Sequence, residues 1–255
     1  MLPYCMPVLQ VLANLLYPPA CLLCHASLQP LHGCSGAPDD ASRGLLCEGC
    51  RSAIIRSRPP VCLCCGVTLP GAYDAAVRCG ACRSSPPIFE KARAPWQYAG
   101  PMKEAIRQFK YHRRWRLGRW VAQTMIATAR ASFPLDEIDA VVPVPLHGLK
   151  RRFKGFNPAE HLAAPLAKWL RAPCLPGALR RIRWTASQTR LTETERIRNV
   201  RAAFAARRRA LRGGAVLLVD DVLTSGATAN ACAAALKAAG VPHVFVLTAA
   251  RTPLL

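Results

Sequence analysis

The apolar and polar positions of residues 216–240 predict a buried strand followed by a helix. Residues 216–219 (Val-Leu-Leu-Val) form an apolar run that no polar side chain interrupts. Such a run is typical of a strand that is buried on both faces inside a parallel sheet. An alanine-rich stretch then continues to residue 239 and stops at Gly240, a residue type that commonly ends helices. The chain is therefore expected to pass from a sheet into a helix.

Short apolar runs and amphipathic stretches alternate through the preceding part of the chain. The predicted strands are residues 91–98 and 138–142, with residues 244–247 as a last buried strand. The predicted helices are residues 102–110 and 117–130, whose apolar side chains recur on one side. Asn157 followed by Pro158 predicts a further helix start, and Pro165 is expected to kink or end that helix.

Two carboxylates and a hydroxyl-rich loop occupy the predicted turn from strand to helix. Asp220 and Asp221 follow the apolar run, and the loop then reads Thr224, Ser225, Gly226, Ala227, Thr228. Hydroxyls, a glycine and free amides at a helix N-terminus form a phosphate cradle, and adjacent carboxylates suit ribose hydroxyls or a phosphate-bound Mg²⁺. Residues 216–228 resemble the phosphoribosyl pyrophosphate (PRPP) motif of the type I phosphoribosyltransferases. The alternative is an ordinary strand-turn-helix with a polar loop.

A second loop at the end of a predicted strand has the composition of a pyrophosphate site. Prolines cannot donate to a strand ladder, so Pro143 and Pro145 end the strand at 138–142 and stiffen the loop after it. The loop continues through a basic, glycine-containing segment, and its candidate ligands are Pro145, Leu146, His147, Arg151, Lys154, Gly155 and Asn157. Taken alone, such a basic run is a solvated loop; beside a phosphate cradle, binding of pyrophosphate is favoured.

Eight of the 13 cysteines form four C-x-x-C pairs near the N-terminus, namely Cys21/Cys24, Cys47/Cys50, Cys62/Cys65 and Cys79/Cys82. Two such pairs complete a tetrahedral Cys₄ site, so four pairs predict two structural zinc ions, with chain-order pairing as the simplest arrangement. A disulfide framework is the alternative, and it requires an oxidising compartment. Cys34 and Cys64 lie close enough in sequence to replace a ligand.

Charge is distributed unevenly along the chain. The formal net charge is +21, and residues 1–90 are close to neutral, so nearly all of the excess lies in residues 91–255. Such a field favours polyanions, including nucleic acid and phosphorylated small molecules, although a general bias toward Arg explains the total equally well. Tyr111, Trp115 and Trp120 interleave with basic residues and suit base stacking, whereas anchoring of a helix to its core is the more common role of such aromatics.

Taken together, these segments resemble the ComF family of competence proteins over nearly the whole chain. Besides the cysteine pairs and residues 219–228, the markers are the Phe-Lys-Tyr of residues 109–111, residues 142–147, the Gly-Phe-Asn of residues 155–157, Gln188, Arg196 and Asn199. Two departures are Lys154, where the family commonly has Arg, and Pro158, where it commonly has Gln. Lys keeps the charge but loses bidentate phosphate geometry.

The resemblance implies an α/β fold, with a type I phosphoribosyltransferase-like parallel sheet flanked by helices in residues 87–255. A small zinc-ribbon domain in residues 1–86 would precede it. It implies that Asp220 and Asp221 act in catalysis and that residues 224–228 hold PRPP with Mg²⁺. Lys110, Tyr111, Gln188, Arg196 and Asn199 become candidate contacts for substrate or DNA, with Gln188 to Asn199 spaced over a turn and a helical segment that extends to Phe204.

The implied role is handling of imported single-stranded DNA in the cytoplasm, with a competence helicase or the uptake machinery as a partner. We find no apolar run of transmembrane length in the sequence. Three functions remain open from the sequence: a phosphoribosyltransferase of unknown acceptor, a non-catalytic adaptor in DNA uptake, and a PRPP-sensing regulator. The last would need a DNA-reading element, and neither a helix-turn-helix nor a finger with a reading helix is evident.

Overall fold

The computed structural model describes residues 18–28, 42, 44–71, 77–146, 155–182, 203–208, 211 and 214–254. Its strands are β1 (Lys91–Arg93), β2 (Trp96–Gln97), β3 (Ile138–Pro143), β4 (Leu179–Arg181), β5 (Phe204–Ala206), β6 (Ala215–Leu223) and β7 (Val244–Arg251). Its α-helices are α1 (Glu48–Ser52), α2 (Gly80–Ser84), α3 (Gly100–His112), α4 (Trp115–Ser132), α5 (Pro158–Leu170) and α6 (Ala227–Ala238).

The main sheet is parallel and has the strand order β1-β7-β6-β3, with β2 pairing along β7 beyond β1. Side chains of β6 alternate between two buried clusters. Leu217 and Val219 pack with helices α3, α4 and α5, while Val216 and Leu218 pack with α6 on the opposite face. The predicted α/β fold, a parallel sheet buried on both faces, is therefore confirmed.

The cysteine-rich region is joined to the edge of the sheet at β1 and β2. The amide of Ala92 donates to the carbonyl of Cys64 at 2.6 Å, and that of Gln97 donates to Ile55 at 2.9 Å. Gly66 adopts a φ of +67° directly against the carbonyl of Ala92, where a side chain would collide with backbone. The proposed boundary at residues 86/87 stays a prediction.

Several predicted elements have different bounds in the structure. The strand predicted at 91–98 is divided into β1 and β2, with Pro95 between them. Strand β6 extends past the two aspartates to Leu223. Asp220 pairs with β7, and Asp221 lies between two residues that pair with β7. Helix α5 continues through Pro165 to Leu170. Pro165 is on the exposed side of α5, so the lost hydrogen bond faces water.

One element type was wrongly predicted. The sequence pattern predicts Phe204 at the end of a helical segment, but in the structure Phe204 belongs to strand β5, which pairs antiparallel with β4. Its ring is buried against the α6 side of the sheet, and this tertiary contact outweighs the helix-forming alanines and arginines around it. Gln188, Arg196 and Asn199 lie outside the described residues. Among the helices that are described, none has the length and apolar character needed to cross a membrane.

Candidate functional site

The strand order places two predicted phosphate-binding loops side by side. Strands β3 and β6 are adjacent and parallel, so their carboxyl ends meet at one edge of the sheet. The amide of Val144, just past β3, donates to the carbonyl of Val219 at 2.8 Å. The loop that contains Pro145 and Leu146 therefore begins next to Asp220.

The residues after β6 form the turn that the motif predicts. Gly226 has a φ of +84°, in the left-handed region, and helix α6 begins directly after it at Ala227. The amide of Ala227 donates to the Ser225 hydroxyl at 3.4 Å. Thr224, Ser225 and Thr228 are partly exposed. Residues 224–228 thus bring backbone amides and three hydroxyls to a helix N-terminus, the kind of position that binds anions.

Asp220 has an environment that favours its neutral form. Burial and then the adjacent Asp221 carboxylate raise the pKa of its carboxyl from 3.8 to about 7, against the opposing effects of the Asp221 amide, Lys110 and Arg181. Its Oδ1 accepts a 2.8 Å hydrogen bond from the amide of Asp221. A carboxyl that titrates near neutral pH suits proton transfer.

Asp221 is paired with Lys110 from the end of α3. The Lys110 Nζ lies 2.7 Å from Asp221 Oδ1, and both side chains are mostly buried, with 20% and 17% exposed. Burial alone would lower the pKa of Lys110, but the Asp221 carboxylate outweighs it and raises that pKa. Lys110, predicted as a contact for substrate or DNA, thus lies within the carboxylate cluster.

Asn157 holds the second loop in place. Its Oδ1 accepts from the amide of Ala159 at 3.1 Å as the cap of α5, and its Nδ2 donates to the carbonyl of Val144 at 3.0 Å. The side chain is 3% exposed, so it positions the loop with both of its polar groups engaged. Gly155 has a φ of +75°, and a side chain there would meet the Arg113 guanidinium. His147, Arg151 and Lys154 lie outside the described residues.

Sequence reasoning missed Arg181 of strand β4, which lies close enough to Asp220 to lower the pKa of that carboxyl. Its guanidinium stacks over Phe204 at 5.4 Å. Burial lowers its pKa, while proximity to Cys232 and Asp220 acts in the opposite direction. Arg181 stands in an arginine-rich run in which no pattern marks one member, so the sequence held no signal for it.

The eight paired cysteines form two clusters that match the chain-order pairing. Cys21, Cys24, Cys47 and Cys50 form one, and Cys62, Cys65, Cys79 and Cys82 form the other, with all ligand atoms of a cluster within 4.8 Å of one another. Cys64 is buried beside the second cluster without belonging to it. The described cysteines are free thiols, and Cys34 lies outside the described residues.

The electrostatics of both clusters fit a bound cation. Burial would raise the pKa of Cys62, yet amide hydrogen bonds from Cys79, Cys65 and Cys64 outweigh it and lower that pKa to about 6. In contrast, burial and then the neighbouring Cys65 charge raise the pKa of Cys82. Each further thiolate is therefore disfavoured until a cation neutralises the group. Four cysteine sulfurs at this spacing could hold a zinc ion in each cluster.

A basic and aromatic surface lies at the junction of α3 and α4. Residues 111–116 (Tyr-His-Arg-Arg-Trp-Arg) are all exposed, with Tyr111 at 68% and Trp115 at 43%, whereas Trp120 is buried at 3%. Trp115 stacks on His161 at 4.3 Å and lies edge-on to Phe156 at 4.8 Å. A cleft of about 530 Å³ opens beside these rings, with Arg119 at its side.

The sequence is similar to curated competence and DNA-utilisation proteins. It is 30% identical over 223 residues to competence protein F of Haemophilus influenzae, covering 86% of this chain and 95% of that protein. It is 32% identical over 210 residues to the DNA utilization protein YhgH of Salmonella typhimurium, covering 81% of this chain and 90% of that one. No family model matches the sequence.

The fold is distantly similar to that of a solved transferase. Adenine phosphoribosyltransferase of Saccharomyces cerevisiae superimposes with a TM-score of 0.35 and 18% identity, over 57% of this chain and 82% of that one.

Proposed function

Because the chain belongs to the competence protein F (ComF) family, we propose that it binds PRPP with Mg²⁺ and handles imported single-stranded DNA in the cytoplasm. The observation that carries the PRPP site is the pair Asp220 and Asp221 beside a helix N-terminus that opens at Gly226. In this proposal residues 224–228 bind the 5′-phosphate, and the two carboxylates bind ribose hydroxyls or the Mg²⁺ that accompanies PRPP.

The reaction that this pocket supports is phosphoribosyl transfer. A nucleophile on the acceptor forms a bond to C1 of the ribose, and the bond from C1 to the pyrophosphate oxygen breaks with its electron pair leaving on pyrophosphate. Pro145, Leu146, His147, Arg151 and Lys154 would stabilise the leaving pyrophosphate, where negative charge accumulates. Asp220, with a pKa of about 7, is suited to accept the proton of the acceptor near neutral pH.

Calorimetry with PRPP and Mg²⁺ tests the pocket. The wild-type protein should bind, and the double variant Asp220→Asn/Asp221→Asn should lose at least tenfold in affinity, about 1.4 kcal/mol. Asp136 and Glu137 provide a matched control. They are adjacent acids that precede the amino end of β3, so they lie at the end of the strands opposite to Asp220 and Asp221. Their Asn and Gln variants should bind as the wild type does. Absence of binding by the wild-type protein would refute the PRPP site.

The DNA-binding face of the proposal is the surface at residues 111–116. It combines exposed Arg113, Arg114 and Arg116 with the exposed rings of Tyr111 and Trp115. Cationic side chains bind the phosphates of a single strand and release counterions, while aromatic rings accept its bases by stacking. The cleft beside Trp115 is large enough for a stacked base.

Fluorescence anisotropy with a labelled oligonucleotide across a salt series tests this face. Tyr111→Ala/Trp115→Ala should weaken binding by roughly fivefold to a hundredfold for each base that loses its stack, which is about 1–3 kcal/mol per base. The salt slope should stay unchanged because the arginines remain. Ile55→Ala is the control, since Ile55 is 48% exposed on the cysteine-rich region. An equal loss in both variants, or no loss in either, would count against the assignment.

A docking role for the cysteine-rich region completes the proposal. Ile55 and Leu63 are large apolar side chains that this region exposes, at 48% and 37%. We assign them to contact with a competence helicase or another part of the uptake machinery. Ile55→Glu/Leu63→Glu should lower DNA uptake in cells while PRPP binding stays intact. Unchanged uptake would remove the docking role and leave the pocket unaffected.

A further inference from the structure

Arg251 lies between the second cysteine cluster and the loop that follows β6. From the end of β7, its Nε donates to the carbonyl of Cys65 at 3.3 Å, and its Nη2 lies 3.8 Å from the Cys65 sulfur. Its Nη1 donates to the carbonyl of Leu223 at 3.1 Å and to that of Thr224. One rigid guanidinium therefore contacts a cluster cysteine and the first residue of the candidate phosphate loop.

The charges around this guanidinium show why the contact matters. The hydrogen bonds from Arg251 to the loop both go to neutral carbonyls, at Leu223 and Thr224. Four thiolates around a divalent ion carry a net charge of about −2. Arg251 and Arg93, whose Nη1 donates to the carbonyls of Cys62 and Leu63, supply two positive charges against the same cluster. A filled cluster would fix Cys65, whose carbonyl and sulfur the Arg251 guanidinium contacts, and an empty cluster would leave this anchor free to move.

We propose that Arg251 couples metal occupancy of the Cys62/Cys65/Cys79/Cys82 cluster to the geometry of residues 223–228. With the cluster filled, Arg251 is fixed and its Nη1 holds the carbonyls of Leu223 and Thr224, which sets the direction of the amides beyond them. With the cluster empty, the loop loses this support. Arg251 is thus a positioning residue. The cysteine-rich region regulates the pocket in addition to stabilising its own fold.

A second route from the cluster to the sheet provides a matched comparison. Arg93 also contacts the cluster, but within the described part of the chain its hydrogen bonds go to Cys62, Leu63 and Ala92 and do not reach residues 223–228. Removing either arginine changes the charge beside the cluster equally. Only removal of Arg251 also breaks the hydrogen bonds to the carbonyls of Leu223 and Thr224.

Hydrogen exchange of the amides at 223–228 tests the coupling in the full chain without PRPP. Arg251→Met should raise their exchange rates by about fivefold to a hundredfold, the range of typical coupling energies. Arg93→Met should leave them unchanged. Metal content and circular dichroism should be retained in both variants. Treating the wild type with a chelator should raise loop exchange to the level of Arg251→Met, and the chelator should add nothing in that variant.

Two results would overturn the proposal: loop exchange that is unchanged in Arg251→Met, or loop exchange that rises equally in Arg93→Met. If chelation unfolds the wild type, amides throughout β6 will exchange together, and the two metal-loaded variants then decide the question. The inference rests on the proposed function, because it assumes that residues 224–228 bind the 5′-phosphate of PRPP. Its test contains no PRPP, so failure here is distinct from failure of PRPP to bind.

Discussion

The ammonium of Lys110 lies 2.7 Å from a carboxylate oxygen of Asp221, and each side chain is about four-fifths buried. The last turn of helix α3 therefore contributes Lys110 to the candidate pocket, where it neutralises one of the two motif acids. The next residue, Tyr111, is 68% exposed on the basic surface. A single turn of helix thus connects the two faces to which we assign PRPP and DNA.

Loss of the Lys110 charge should destabilise the fold. Lys110→Met leaves the Asp221 carboxylate mostly buried without its cation, and we expect a loss of about 1–3 kcal/mol in the free energy of unfolding, less than for a fully buried pair. Urea denaturation measures it. Lys103→Met, on the exposed side of the same helix, should change stability by no more than about 0.5 kcal/mol. Adding Asp221→Asn should recover part of the loss, and a purely additive double variant would contradict the pairing.

Asp220 should make stability depend on pH in a defined direction. Its folded pKa of about 7 lies above the ordinary 3.8, so between these values the folded state holds a proton that the unfolded state has lost. The contribution of Asp220 to stability therefore falls as the pH rises through this window. Asp220→Asn should gain on the order of 1–2 kcal/mol relative to wild type between pH 5 and 8. Urea denaturation at several pH values measures it, and a constant difference would argue against a raised pKa.

Gly118 should tolerate no side chain. A Cβ there would lie 2.5 Å from the ring of Phe109, which is 2% exposed and enclosed by Trp115, Phe156 and His161. Gly118→Ala should cost about 1–3 kcal/mol through overpacking, measured as a lowered thermal midpoint. Gly49→Ala is the matched helical change, because nothing lies within 4 Å of its added methyl. It should be neutral or slightly stabilising, and equal losses would exclude the packing explanation.

Asn157 should be more important to the loop than to the ligand. Asn157→Ala removes both the cap of α5 and the bond to Val144, and we expect a loss of about 1–3 kcal/mol. Asn157→Ser keeps an acceptor for the cap and loses only the donor, so its loss in urea denaturation should be intermediate. If Asn157 instead acts through direct ligand contact, both variants would lose affinity for PRPP with little change in stability.

The parts of the fold that the sequence predicts are those with local causes. The apolar run before Asp220, the glycine that directly precedes helix α6, and the Asn157 cap each depend on neighbouring residues. The structure places all of them as expected. The cysteine clusters also follow from spacing, because a C-x-x-C turn directs two sulfurs to one point.

The parts that the sequence does not predict depend on distant contacts. Strands β4 and β5 are three residues each and have a pair of arginines or alanines instead of an alternating pattern, so only their pairing defines them. The interleaved aromatics illustrate the same limit. Trp115 is exposed and Trp120 is buried, although both stand in the same amphipathic stretch. Arg251 is one arginine among many until β7 places it beside Cys65.

The central position of β7 has a consequence for synthesis on the ribosome. Strands β1 and β2 pair with β7, which comes about 150 residues later in the sequence, and β6 needs the same partner on its other side. On the ribosome, the cysteine-rich region is therefore synthesised before β7, the strand that the sheet needs in order to form. Such long-range pairing slows folding, whereas all eight clustered cysteines precede β1 in the sequence, so their assembly does not have to wait for β7.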